Sequence, residues 1–196
     1  MVICLEFVNT VNWAGEGAIR RDRLASYPDY LDWAWEAGLL DEAGRDALRG
    51  EAAADPELRR RALGQAWTLR HAMHGVLRAA ARGTGLPLPA VARLNAAFQQ
   101  HVPPIQLDAG GDAIALTTPV RAHADPLTPV VRATALFLAS PQLERLRECA
   151  GAACGRLYLD TSRNRTRRWC DMGTCGNRAK AARHRRRVRR DPRSAA

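Results

Sequence analysis

No stretch of this chain approaches the roughly 20 consecutive apolar residues that a membrane-spanning helix needs, so an integral membrane protein is not expected. The start, Met1-Val2-Ile3-Cys4-Leu5-Glu6, has no basic segment leading into an apolar one, so no secretory leader is expected either. Also missing are G-x-S-x-G, the P-loop, G-x-G-x-x-G and H-E-x-x-H. Without them an enzyme is not the expected reading. Lysine is nearly absent, since Lys180 is the one Lys among 30 basic residues. A GC-rich genome would produce part of that bias, so arginine choice alone carries little weight.

What is present suits one domain, or one domain with a small appendage: 196 residues, 46% of them hydrophobic. That is enough to bury a core without disulfide staples. The charge is uneven. Residues 142–196 hold 16 Lys and Arg against 5 Asp and Glu, a net of +11, whereas residues 1–141 hold 14 against 15, a net of −1. A near-neutral body carrying a cationic C-terminal segment points to a polyanionic partner, nucleic acid before an anionic membrane. The composition changes near Gln142, which divides the chain into 1–141 and 142–196.

The first part reads as mainly α-helical with one small β-hairpin. Ile3–Val11 is a short apolar stretch, strand or helix, and Trp13–Arg23 reads as a loop. Helices are predicted from Tyr27, over Asp41–Ala53, from Asp55-Pro56-Glu57 to Gly83, and from Leu88-Pro89. The third is the clearest, with Leu58, Ala62, Ala66, Leu69, Met73, Val76, Leu77 and Ala80 recurring every three or four residues. Ile105–Leu107 and Ile114–Leu116 flank a turn and read as the hairpin. Pro126–Ala139 is nearly apolar all round and reads as a central buried helix. Pro141 starts a short helix toward Cys149. Glu6, Asn9, Asn12 and Trp13 form a polar and aromatic cluster that lines a ligand pocket, or else Glu6 and Asn9 hydrogen-bond local backbone and cap a helix. His71 and His74, three apart, lack a third metal ligand nearby. Cys4, between Ile3 and Leu5, reads as a small buried apolar residue rather than a nucleophile.

The last fifty-odd residues have few large apolar side chains and need another source of folding free energy. Cys149, Cys154, Cys170 and Cys175 supply one. They read C-x4-C, fifteen residues, C-x4-C. Four thiolates close a tetrahedral zinc site and leave no position for a catalytic water. The expected cofactor is therefore one structural Zn²⁺ per chain. Two disulfides would instead need an oxidising compartment.

The residues around these cysteines closely resemble the CGNR zinc-finger family. They run Leu157-Tyr158-Leu159-Asp160-Thr161-Ser162-Arg163-Asn164, then Arg167-Arg168-Trp169-Cys170, then Cys175-Gly176-Asn177-Arg178-Ala179-Lys180. In that family the finger follows an N-terminal domain called ABATE, and Leu5-Glu6-Phe7-Val8-Asn9-Thr10 looks like the start of that domain. Tyr158 stands where Phe is more usual, a swap that keeps the packing role. The resemblance implies a bacterial stress-induced transcription regulator and favours DNA as the partner.

The candidate nucleic-acid contacts are Arg163, Arg165, Arg167 and Arg168 between the cysteine pairs, with Arg178, Lys180, Arg183, Arg185, Arg186 and Arg187 after them. Asn177 is expected to N-cap a helix over 178–190, and Trp169 to pack beneath the metal. Double-stranded DNA held mainly through phosphates is the leading reading. RNA on the same surface, or a zinc-stabilised protein-interaction module, are the others. A homodimer, a small-molecule effector of the helical part and a cytoplasmic location complete the expectations.

Overall fold

A computed structural model describes residues 2–14, 18–101, 106–108, 115–117 and 125–190. Local signals set most helix boundaries. Helix α1 spans Ile3–Val8 and α2 spans Tyr27–Glu36. Ser26 and Asp29 form a reciprocal capping box at the start of α2, and Gly38 follows its end at φ 71°. Helix α3 (Glu42–Ala54) is capped by the Asp41 carboxylate. Helix α4 (Pro56–Arg82) begins with Asp55 accepting from the Glu57 and Leu58 amides and ends at Gly83, φ 64°. Helices α5 (Leu88–His101) and α6 (Leu127–Leu138) complete the helical body.

Helix α4 is the hub. It packs against α1, α2, α3 and α5. One core runs through Phe7, Val8, Leu31, Met73, Leu77, Val130 and Val131. Full burial of one such side chain is worth about 1.5–3 kcal/mol. A buried Arg70 on α4 crosses this core and donates from Nη1 to Thr10 Oγ1 at 2.9 Å and to Asp22 Oδ1 at 2.8 Å.

Strands β1 (Val11–Ala14) and β2 (Ala18–Asp22) form an antiparallel hairpin where a loop was expected. The alternation is short and interrupted by glycine, yet Trp13 on β1 is buried and gives the hairpin its anchor. The expected hairpin is also found: β3 (Gln106–Asp108) pairs with β4 (Ala115–Thr117), Leu107 opposite Leu116. Residues 105, 109–114 and 191–196 lie outside the described residues. Helix α6 is buried on one face only. Val130, Val131, Thr134 and Phe137 point inward, while Leu136 is 66% exposed.

After α6 a 3₁₀ turn (Pro141–Arg145) leads into β5 (Leu146–Glu148), which pairs antiparallel with β6 (Leu157–Leu159). A single π-turn (Met172–Gly176) runs directly into α7 (Asn177–Arg190). Leu146 and Leu157 belong to the main core, so the β5–β6 ribbon is built into the helical body.

Candidate metal centre and nucleic-acid interface

The β5–β6 ladder extends by one bond, from the Cys149 amide to the Arg156 carbonyl at 2.9 Å. The chain between them folds into a tight knuckle, closed by Cys154 N–H to Gly151 O at 3.1 Å. The amides of Gly151 and Cys170 both point at Cys149 Sγ, at 3.4 and 3.3 Å. A further bond, Ala150 N–H to Arg168 O at 2.9 Å, brings the second cysteine pair alongside the first. On that side Asp171 Oδ1 accepts from the Thr174 amide and hydroxyl at 2.7 and 2.8 Å and shapes the π-turn carrying Cys175.

The four sulfurs consequently lie within 4.8 Å of one another. Cys154 and Cys170 are 3.7 Å apart at Sγ, and Cys170 and Cys175 are 3.8 Å apart. A tetrahedral ion with sulfur at about 2.3 Å has sulfur–sulfur edges of about 3.8 Å, so the donor set fits one zinc. Electrostatics agree. Burial pushes the Cys154 thiol up to about 11 and the Cys170 thiol up as well. Burial acts upward on Cys149 too, but the Cys170 and Gly151 amides aimed at its sulfur outweigh it and bring the thiol down. Thiolates crowded this closely need a cation among them, and metal binding displaces the remaining protons. A small cluster of Cys149, Tyr158, Cys175 and the half-buried Trp169 packs around the sulfurs, as expected for Trp169.

The arginines divide into two groups. Arg167 is committed to the fold: Nε donates to Trp169 O at 2.8 Å, Nη2 donates to Cys170 O, and the guanidinium lies 4.8 Å over the Tyr158 ring. Tyr158 in turn donates its hydroxyl to Arg167 O at 2.6 Å. Arg163, Arg165 and Arg168 are exposed, with Arg165 3.8 Å from Glu144 and Arg168 over Trp169. On α7, Arg178, Lys180, Arg183, Arg185, Arg186 and Arg187 are all exposed. Asn177 does not N-cap. It is already helical, and its Nδ2 donates back to Gly173 O at 3.0 Å, because the preceding π-turn supplies the helix start.

Contacts invisible to sequence spacing fasten the knuckle to the body. Asn9 bonds both backbone groups of Leu157. His74 Nε2 lies 3.1 Å from Gly155 O, and its ring stacks on Trp13 with centroids 3.8 Å apart. Trp13 Nε1 donates to Val8 O at 2.8 Å. Glu148 accepts from Arg78 Nε at 3.1 Å and from Arg82 Nη2 at 3.1 Å. Asn9 and Trp13 therefore serve this junction, and His74 spends its ring nitrogen on a carbonyl. Cys4 is fully buried, and burial pushes its thiol up to about 12, which makes it a poor nucleophile.

Comparison with known families gives two matches. Residues 145–188 match the CGNR zinc finger. Residues 2–141 match the ABATE model, described as "Putative stress-induced transcription regulator". No curated protein matches the chain.

Proposed function

The chain belongs to the ABATE family and carries a CGNR zinc finger, and from that premise we propose that it is a zinc-dependent DNA-binding transcription regulator. Cys149, Cys154, Cys170 and Cys175 hold the ion in this reading. Both families are regulatory or zinc-finger families rather than enzyme families. Among the described residues no helix is long and apolar enough to cross a membrane.

One observation carries the proposal. Four sulfurs within 4.8 Å of one another sit at the root of a helix whose six basic side chains between Arg178 and Arg187 are all exposed. Like charges at such density repel one another along a helix, and a polyanion relieves that repulsion. Arg163, Arg165 and Arg168 add phosphate contacts beside it. Cysteines that serve as zinc ligands rather than as disulfides suit a reducing compartment, which supports a cytoplasmic location in this reading.

The helical body supplies the regulation. An apolar cavity of about 360 Å³ lies between α4, α5 and α6, lined by Val76, Leu94, Phe98, Leu138 and Leu143 with the polar Asn95. Leu143 sits in the 3₁₀ turn that feeds β5, so an effector there acts on the strand leading to Cys149. Because one finger makes few base contacts, the body also serves as a homodimerisation unit.

The test is fluorescence anisotropy with duplex DNA, single-stranded DNA and structured RNA at matched salt, using protein of known zinc content. One zinc per chain, tightest binding to the duplex, and an affinity falling steeply with log salt are expected. Preference for RNA would move the reading to an RNA-binding protein, and no binding to any of them would leave a protein-interaction module.

A further inference from the structure

Helix α7 has two faces that its arginine content conceals. Of its residues from Asn177 to Arg187, Ala179 and Ala182 alone are half-buried, and the others are exposed. At about 100° per residue these two alanines lie about 60° apart and mark the inner side of the helix. The opposite line passes within about 10° of His184, with Lys180 and Ala181 within about 50° on either side. Asn177 also projects onto this line, but its side chain is spent on Gly173 O.

The arginines are excluded from this outer line. Arg178 and Arg185 lie about 90–110° off it on one side, and Arg183 and Arg187 about 70–110° off it on the other. Arg186 falls on the inner side, in line with Ala179 and Ala182. A narrow stripe of one lysine, one methyl group and one imidazole is thus flanked by two arginine rails.

We propose that Lys180, Ala181 and His184 read base edges in the major groove of duplex DNA while the two arginine rails hold the phosphates on either side. The inference deepens the DNA-binding reading above and rests on it. The chemistry of each position suits the role. Lys180 can donate to guanine O6 and N7, and the Ala181 methyl can meet the thymine methyl. The His184 ring can donate to a purine N7 or accept from an exocyclic amine. Ala181 is small, and neither the unbranched Lys180 stem nor the single His184 ring is bulky at its base, so the helix can sit deep in the groove, where side chains on its flanks meet the backbones.

The shape selects DNA. The B-form major groove is about 12 Å wide and admits a helix, whereas the A-form RNA groove is too narrow for side-chain readout. Single strands are read by stacking on aromatic rings, and α7 contains no Phe, Tyr or Trp. Support for an inserting helix is also local. The π-turn, held by the second cysteine pair, is the element α7 packs on. Its 14 residues span about 21 Å, enough to cross the groove.

The test uses full-length, zinc-loaded protein. Duplexes are selected from a random pool, and affinities for the selected and a scrambled duplex are compared across salt. For the stripe, H184A and K180A should each cut the ratio of selected to scrambled affinity by about tenfold. H184A should leave scrambled affinity within about twofold and the salt slope unchanged. For the rails, R178Q, R183Q, R185Q and R187Q should weaken both duplexes by the same factor and flatten the slope by about 1 each. R186Q should change neither quantity. All these side chains are exposed, so one zinc per chain in every variant confirms that the finger is intact.

An unchanged ratio in both H184A and K180A overturns the inference, as do rail variants that alter the ratio and spare the slope. Binding without any enriched sequence overturns it while leaving the DNA-binding reading in place. Failure of the wild-type chain to bind any duplex overturns both.

Discussion

Asn9 Nδ2 donates to the Leu157 carbonyl at 2.8 Å while the Leu157 amide donates to Asn9 Oδ1 at 3.1 Å. The side chain of α1's C-cap residue thereby acts as a third strand for β6, joining the first turn of the body to the ribbon that carries the finger. Replacing Asn9 with Ala strands a donor and an acceptor on a largely buried strand. Each unsatisfied group costs about 1–3 kcal/mol, so Asn9→Ala should destabilise by about 2–6 kcal/mol. Urea unfolding of the zinc-loaded chain measures it. A midpoint shift worth less than about 0.5 kcal/mol would show that the pair does not hold the ribbon.

Gly155 has φ 59°, and a Cβ added there would lie 2.6 Å from Trp13 Cβ. Gly155→Ala therefore combines left-handed strain of about 1–2 kcal/mol with overpacking of about 1–3 kcal/mol. A loss of about 3 kcal/mol is expected, together with weaker zinc retention, because Gly155 directly follows Cys154. Gly64, inside α4, is the contrast: nothing lies within 4 Å of its added Cβ. Gly64→Ala should stabilise by up to about 1 kcal/mol through helix propensity. Thermal melts of the two variants should move in opposite directions.

How far these features show in the sequence depends on range. The caps at Asp55 and Ser26, the heptad-like face of α4 and the C-x4-C pairs are local, so their spacing displays them. Asn9 with Leu157, His74 with Gly155 and Glu148 with Arg78 are long-range partners, and no periodicity marks such pairs. Composition hid β1–β2, because a glycine-rich charged segment resembles a loop until the buried Trp13 is seen. Composition also overstated α6, since an apolar residue such as Leu136 is not thereby buried. A count of positive charge grouped Arg167 with Arg168, although backbone carbonyls hold the first and only an aromatic ring the second.

Arg167 accordingly separates structure from binding. Its guanidinium spans the Trp169 and Cys170 carbonyls and covers the Tyr158 ring. Arg167→Gln should release zinc to a competing chelator at least several-fold faster while leaving the salt slope of DNA binding unchanged. Arg163→Gln, an exposed side chain, should do the reverse and lower that slope by about 1. A slope change in Arg167→Gln with zinc retention unaltered would place its charge on the nucleic acid instead.

His74 makes the junction sensitive to acid. Burial pushes its pKa down from 6.5 to about 4. Between those values the unfolded chain binds more protons than the folded one, so stability rises with pH there and falls as pH drops through 6.5 toward 4. From pH 7 to pH 5 this one group should remove about 2 kcal/mol. His74→Gln keeps a donor for the Gly155 carbonyl but cannot titrate, so its unfolding free energy should fall by about 2 kcal/mol less over the same interval. Both proteins contain the same cysteines, so acid-driven zinc loss is common to both and cancels in the comparison. Equal pH dependence would mean that His74 is hydrated in solution.

Metal removal should divide the finger unevenly. The first cysteine pair stands on β5–β6, whose Leu146 and Leu157 are buried in the body and whose Glu148 is held by Arg78 and Arg82. The second pair is tied to that ribbon by the small cluster around Trp169 and by single hydrogen bonds, from Ala150 to Arg168 O, from Tyr158 to Arg167 O and from the Cys170 amide to Cys149 Sγ, with no residue of the segment in the main core. Zinc supplies about 10–16 kcal/mol in small fingers, far more than that cluster can replace. Chelation, or Cys170→Ser, should therefore move the amide resonances of residues 170–187 to random-coil positions while those of 146–148 and 157–159 stay dispersed. Duplex affinity should drop by at least tenfold, since the arginines of α7 lose their fixed spacing but keep their charge. Uniform collapse of both pairs would show that the ribbon depends on the ion as much as the helix does. Persistence of both would show that the sulfurs do not hold the fold together.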